Sequence, residues 1–242
     1  MVYNLINLVV GLFFIVGAFI AYKNKNSKNL INFSVGMALI VLLILLFIDI
    51  APETIELLDN KLYLVAGGAL IGILILFAIE KLVPHHNHFE EEKQHHHSDH
   101  LKHIGTMTGI ALIIHNLVEG MSIYGVASND LKTGLIYAFG VGLHNIPFGI
   151  EITALFENSD KKKSTLYLIL LSLSTFLGGL LLFIFKDLLT DTVLGILLSL
   201  TIGMILYLVF NELLVELKEK FNKYSIYGII TGIILMIIGS LL

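Results

Sequence analysis

Eight long apolar stretches follow one another along the chain, separated by short polar breaks. A helix needs about 20 mostly apolar residues to cross the hydrocarbon core of a membrane, because each residue rises about 1.5 Å and the core is about 30 Å thick. The stretches cover residues 2–22, 29–51, 62–84, 104–127, 132–156, 164–186, 192–216 and 224–242. This pattern predicts an all-α, polytopic membrane bundle of eight transmembrane helices, which we number spans 1 to 8.

The composition agrees with a membrane location. Hydrophobic residues make up 56% of the chain and charged residues 14%, whereas soluble domains are roughly 45–50% apolar. We therefore expect one transmembrane domain over residues 1–242, multi-pass in the cell membrane and surrounded by the lipid bilayer. The net charge of −4 gives no reason to expect a nucleic-acid partner. Because the chain has no cysteine, any metal must bind through nitrogen and oxygen.

The lysines predict the orientation of the spans, since short loops rich in Lys or Arg stay in the cytoplasm. All 15 basic residues are lysines. Twelve of the 15 lie in the loops after spans 1, 3, 5 and 7, and the other side has only Lys61, Lys132 and Lys186. We therefore expect both termini outside. The unequal distribution of lysines also supports eight spans, because one span fewer would move every later loop to the other side of the membrane.

The loop between spans 3 and 4, at about residues 85–103, is rich in histidine and is expected in the cytoplasm. It contains His85, His86, His88, His95, His96, His97, His100 and His103, with four acidic residues among them. Neutral imidazole binds Zn²⁺, Cu²⁺, Ni²⁺ and iron, and a flexible tract can satisfy several coordination geometries. We predict metal capture or sensing here, with a solvated linker as the alternative.

Ionisable side chains inside the spans are few, and each is costly unless it is paired or hydrated. They are His115 and Glu119 in span 4, His144 and Glu151 in span 5, and Asp49 and Glu212 nearer the ends of spans 2 and 7. Only spans 4 and 5 hold histidine. We therefore expect the functional site between these two spans.

Spans 4 and 5 each carry a His-Asn pair, His115-Asn116 and His144-Asn145. The spacing of four residues places His115 and Glu119 on one helical face, about one turn apart. Because the two spans are antiparallel in the predicted topology, both imidazoles can lie at one depth. We predict a transition-metal site at this level of the membrane.

Simpler explanations exist for parts of this pattern. A single buried histidine is more often an interhelical hydrogen-bonding group, but two repeated His-Asn pairs are difficult to explain by packing alone. For Asn116 and Asn145, hydrogen bonding between helices and metal ligation both stay open. Nitrogen-rich ligation favours Zn²⁺, Fe²⁺ or Co²⁺ over Mg²⁺ and Ca²⁺, which prefer oxygen.

On these residues the chain resembles the ZIP family of divalent metal transporters, in its prokaryotic branch. The strongest match is the pair of motifs His115-Asn116-x-x-Glu119-Gly120 and His144-Asn145-Ile146-Pro147-x-Gly149. Weaker similarities cover Phe33 to Gly36, Asp49 to Glu53, Lys81 to His85, Gly178-Gly179 and Asn211 to Leu213. The resemblance implies that spans 4 and 5 form a transport site and that helix groups move to give alternating access.

Two positions depart from the family pattern. The family usually has Glu where Phe148 stands, and often Glu where Thr175 aligns; these carboxylates help form a second, bridged metal position. The resemblance therefore implies a single site of His115, Glu119 and His144, with Asn116 and Asn145 near it. Glu151, seven residues after His144 and on its face, is a further candidate, as a relay ligand or a partial replacement for the missing Glu; simple hydration is the alternative.

The leading hypothesis is a transporter that moves divalent transition metal ions into the cytoplasm through this site. Zn²⁺ is the first candidate, followed by Fe²⁺, Co²⁺, Mn²⁺ or Cd²⁺, as transported ion and not as an enzyme cofactor. The rival is a degenerate relative that binds or senses metal without transporting it. An intramembrane enzyme is disfavoured, because neither His-Glu-x-x-His nor Gly-x-Ser-x-Gly occurs. The sequence does not decide whether the protein forms a homodimer.

Overall fold

The computed structural model describes residues 2–24, 29–82, 93–156, 161–187 and 190–240. Within these ranges the chain folds into eight long helices and no strand. They are α1 (Val2–Lys23), α2 (Leu30–Leu57), α3 (Leu62–Leu82), α4 (Lys93–Asn129), α5 (Leu131–Phe156), α6 (Lys161–Phe185), α7 (Asp191–Lys220) and α8 (Lys223–Ser240). Seven are long and apolar enough to cross a membrane, and the described part of α8 is apolar but slightly shorter. The predicted all-α membrane bundle is confirmed.

The fourth helix begins earlier than the hydrophobic pattern predicted. It starts at Lys93, whereas the apolar stretch starts at residue 104. The second half of the His-rich segment thus forms the first turns of α4. Residues 83–92, with His85, His86 and His88, lie outside the described residues, as do the side chains up to His100.

Four helices form the centre of the bundle. Helix α1 packs along α5 and α6, and α4 packs along α6 and α5. Around this group, α8 pairs with α2 and α3 pairs with α7. Large apolar side chains remain exposed on the outer faces, such as Phe19, Leu70, Leu173 and Ile234. Such faces are expected of helices whose surroundings are lipid.

Glycines bring the central helices into backbone contact. A Cβ atom added at Gly149 of α5 would lie 2.1 Å from the carbonyl oxygen of Phe14 in α1. One added at Gly120 of α4 would lie 2.0 Å from the carbonyl oxygen of Thr175 in α6. Small residues at helix crossings permit this close approach in membrane proteins. Polar side chains near these crossings are therefore held on closely spaced helices.

The register of α4 against α5 sets the depth of the two His-Asn pairs. Gly105, in the fourth turn of α4, contacts Phe156 at the end of α5, and Ala127 near the end of α4 contacts Gly134 at the start of α5. The helices are therefore antiparallel. Two residues at the same depth, one in α4 and one in α5, therefore have residue numbers whose sum is roughly 260. His115 and His144 fit this sum, so the two histidines lie at the same depth.

Two helices contain a wider turn. Residues Leu45–Ile50 of α2 and Val209–Leu213 of α7 form π-helical segments. Such segments often occur at functional sites, because they turn a side chain out of the regular helical path. Each of these two holds one acidic residue, Asp49 in α2 and Glu212 in α7.

Candidate metal centre

His115, Glu119 and His144 meet in the middle of the α4–α5 interface. Oε1 of Glu119 lies 3.0 Å from Nε2 of His144 and 3.6 Å from Nε2 of His115. The two imidazole rings have their centroids 6.5 Å apart. All three residues are buried, at 2% to 5% exposure. The predicted spacing of four residues on α4 and the shared depth of the two spans thus bring these three side chains together.

The arrangement has the geometry of converging ligands. One atom from each side chain lies within 4.8 Å of the others, yet neither Nε2 atom makes an aligned hydrogen bond to the carboxylate. A tetrahedral zinc site with bonds of about 2.0–2.1 Å separates its ligand atoms by roughly 3.3 Å. Two neutral imidazoles and one carboxylate at these separations can bind a transition metal ion with little rearrangement.

Asn116 and Asn145 are fully buried beside the histidines. The Nδ2 group of Asn145 donates a hydrogen bond of 3.5 Å to the carbonyl oxygen of Val10 in α1. Among the residues that the structure describes, its Oδ1 and both side-chain polar atoms of Asn116 have no hydrogen-bond partner. The interhelical hydrogen bond considered for these amides is thus present for Asn145.

Glu151 is not part of the three-residue group. It lies two turns farther along α5 and is fully buried, and within the described part of the chain neither of its carboxylate oxygens has a hydrogen-bond partner. Between it and His144 stands Phe148, also fully buried, with its ring centroid 6.4 Å from that of His144. An apolar ring therefore occupies the turn that follows the histidine.

A cavity of about 610 Å³ leads to the three ligand side chains. Its wall includes Asp49 and Glu53 of α2, Tyr137 at the start of α5, and the last residues of α8 up to Gly239. Glu53 accepts a hydrogen bond of 3.3 Å from Ser122 of α4. These residues lie towards the ends of α2 and α8 and the start of α5, so carboxylates line the approach to the site at this end of the bundle.

A second group of ligand atoms lies near the opposite ends of the helices. Glu80 of α3, His103 of α4 and Glu212 of α7 each place one ligand atom within 4.8 Å of the others. Nε2 of His103 lies 3.2 Å from Oε1 of Glu212, and Glu80 contacts the hydroxyl of Tyr207. No sequence motif predicts this group, although all three residues are near the lysine-rich ends of their spans.

The apolar helices and the buried group of His115, Glu119 and His144, which could hold a metal ion, define the class: a multi-pass membrane protein with a candidate metal centre. The family profile described as ZIP zinc transporter matches residues 85–239, which is more than half of the chain. The chain therefore belongs to the ZIP zinc transporter family, as its paired motifs suggested.

Several bacterial relatives align with almost the whole chain. The zinc transporter ZupT of Streptococcus mutans is 28% identical, over 94% of this chain and 92% of its own length. ZupT of Clostridium perfringens is 27% identical over 98% and 94%, and ZupT of Oceanobacillus iheyensis 29% over 98% and 96%. These relatives are named as zinc transporters, and this chain is a multi-pass membrane protein of a metal-transporting family.

Proposed function

We propose that this protein carries divalent transition metal ions, Zn²⁺ first, into the cytoplasm through a centre formed by His115, Glu119 and His144. The observation that supports this most strongly is the convergence of three buried ligand atoms on one point at the end of an open cavity. The names of the bacterial relatives support zinc as the ion. Fe²⁺, Co²⁺, Mn²⁺ and Cd²⁺ are secondary candidates for the same ligands.

The incomplete ligand set suits transport. A structural zinc site is closed by four protein ligands, whereas three ligands leave a position for water or an exchanging group. A carrier must bind the ion well enough to select it and weakly enough to release it. With one carboxylate and two neutral imidazoles, the centre keeps a net positive charge when it holds a dication, which favours release.

The acidic wall of the cavity supports entry from outside. Asp49 is exposed and Glu53 half-buried, and both face the same cavity as Glu119. A cleft lined by one sign of charge raises the local concentration of oppositely charged ions. We infer that these carboxylates attract the dication and that the buried centre then takes it from them.

Side chains farther along α4 and α5 are candidate ligands for the ion on its way to the cytoplasm. Glu151 lies seven residues past His144, about 10 Å deeper, and His103 lies twelve residues before His115, about 18 Å deeper. We assign Glu151 the role of relay ligand, and the Glu80–His103–Glu212 group the role of the inner end of the path. Asn116 and Asn145 stay in the proposed site as neighbours of the histidines.

Zinc uptake into proteoliposomes tests this proposal. The double substitution His115→Ala with His144→Ala should reduce uptake to the level of empty vesicles, while the exposed-site control Glu56→Gln keeps it. Unchanged uptake in the double variant would refute the site. A wild type without flux for any of the five ions would instead favour a protein that binds metal without transporting it.

A further inference from the structure

Lysines are concentrated where the end of α1 meets the start of α6. Lys23 is the last residue of α1, and Lys161 and Lys162 are the first two residues of α6. All three are exposed, and within the described part of the chain none of them forms an ion pair with an acidic residue. The adjoining residues 25–28 and 157–160 contain two lysines and two acidic residues, which leaves this positive charge in place. We call Lys23, Lys161 and Lys162 the lysine corner.

Close contacts fix the register of α1 against α6. A Cβ atom added at Gly11 of α1 would clash with the carbonyl oxygen of Ser172 in α6, and one added at Gly179 of α6 would clash with Nδ2 of Asn7 in α1. The two helices are therefore antiparallel. Two residues at the same depth, one in α1 and one in α6, have residue numbers whose sum is roughly 185.

This register brings the lysines of the two helices together. Lys23 and Lys161 fit the sum, so they lie at the same depth. Lys161 is also eleven residues before Ser172, which is about three helical turns, and therefore lies on the face of α6 that meets α1. Lys162 follows it on the neighbouring exposed side. One negatively charged group at this depth can therefore contact lysines from both helices.

Apolar side chains continue this surface towards the middle of the membrane. Nζ of Lys23 lies 4.5 Å from the ring centroid of Phe19, which is 56% exposed. Eight residues from Lys23 and from Lys161, about 12 Å deeper, lie Ile15 and Ile169. They are 50% and 51% exposed, and their residue numbers also fit the sum for equal depth. An exposed apolar surface therefore extends from the lysines to the depth of the lipid acyl chains.

This combination fits an anionic phospholipid. Lysines close to a membrane surface attract negatively charged lipid head groups. A lysine stem that lies over an apolar ring keeps its ammonium group in the polar region of the membrane. We propose that the lysine corner binds the head group of an anionic phospholipid whose acyl chain lies along Phe19, Ile15 and Ile169. This binding does not depend on the proposed dication transport.

A tryptophan reporter tests the site without any transport, because the chain contains no tryptophan. Ile169→Trp places the reporter beside the acyl chain of the proposed lipid. Leu177→Trp is the matched control, since Leu177 lies eight residues farther along α6 and is 44% exposed. Each protein is reconstituted in phosphatidylcholine vesicles with increasing fractions of phosphatidylglycerol or phosphatidylcholine that carry bromine on their acyl chains. Bromine quenches the fluorescence of a nearby tryptophan.

We expect brominated phosphatidylglycerol to quench the Ile169→Trp protein at a fraction at least threefold lower than brominated phosphatidylcholine does. The two lipids should quench the Leu177→Trp protein equally. Equal quenching by both lipids in the Ile169→Trp protein would overturn the proposal. The same preference in both reporter proteins would also overturn it, because the anionic lipid would then have no particular place on α6.

Charge removal assigns the preference to the three lysines. In the Ile169→Trp protein, the preference should disappear in the triple variant Lys23→Gln, Lys161→Gln and Lys162→Gln. The control removes the same charge at the opposite end of the bundle and should keep the preference; it carries Lys61→Gln, Lys132→Gln and Lys186→Gln. A preference that survives loss of the corner lysines would overturn the assignment. Its loss in both triple variants would do so as well, because net charge alone would then attract the lipid.

Discussion

Replacing Glu119 with glutamine removes the only negative charge among the three ligand side chains while it keeps their shape. Oε1 of Glu119 is 3.0 Å and 3.6 Å from the two histidine nitrogens, and at 5% exposure the residue leaves little room for water to replace the charge. Removing one partner of a buried charge pair costs about 3–5 kcal/mol. Since about 1.4 kcal/mol is tenfold, Zn²⁺ affinity should fall roughly 100-fold to a few thousand-fold.

Zinc uptake by proteoliposomes, measured over a range of external zinc concentrations, checks this predicted loss of Zn²⁺ affinity. Glu119→Gln should raise the half-saturating concentration by at least 100-fold, or abolish saturation. Glu56→Gln is the matched control, since this carboxylate is exposed and does not line the cavity; it should behave as wild type. A Glu119→Gln protein that transports zinc with a half-saturating concentration within threefold of wild type would refute the reasoning.

Three further predictions concern the ligand set, the packing and the entrance. Phe148→Glu adds a carboxylate one turn from His144 and should tighten zinc binding at least tenfold in calorimetry; unchanged affinity would count against a ligand position there. Gly120→Ala overpacks a backbone contact and should lower the unfolding temperature by about 3–10 °C, whereas Gly67→Ala, with open space around it, should not; equal melting would contradict the close approach. Asp49→Asn should slow zinc uptake a few-fold at low ionic strength and little at high salt; a salt-independent effect would exclude electrostatic attraction.

Much of the fold follows from the length of the apolar stretches, because a helix must span a fixed thickness of hydrocarbon. The start of α4 does not follow from that rule. Residues 93–103 are polar and rich in histidine, so the hydropathy pattern places the start of the span at residue 104. The helix itself begins at Lys93. The limit of an apolar stretch marks the expected lipid boundary, and the helix itself can extend past it.

The His115–Glu119–His144 centre was predictable because it depends on two regular features. The spacing of four residues on α4 and the antiparallel pairing of consecutive spans are both properties of the sequence. The Glu80–His103–Glu212 group was not, since its residues come from three helices with no common motif and Glu212 stands in a π-helical segment that sequence periodicity does not reveal. The hydrogen bond from Asn7 of α1 to the carbonyl oxygen of Gly120 in α4 likewise joins residues that lie 113 positions apart along the chain.

The most direct test of the account is the position of a bound dication in an experimental structure. Crystals of the protein soaked with Cd²⁺ or Zn²⁺ can be measured by anomalous diffraction, which locates each ion apart from any bound to the His-rich segment. We predict an anomalous peak within bonding distance of His115, Glu119 and His144, which disappears in the His144→Ala protein. Ions bound elsewhere with no peak between these three residues would contradict the proposed transport centre.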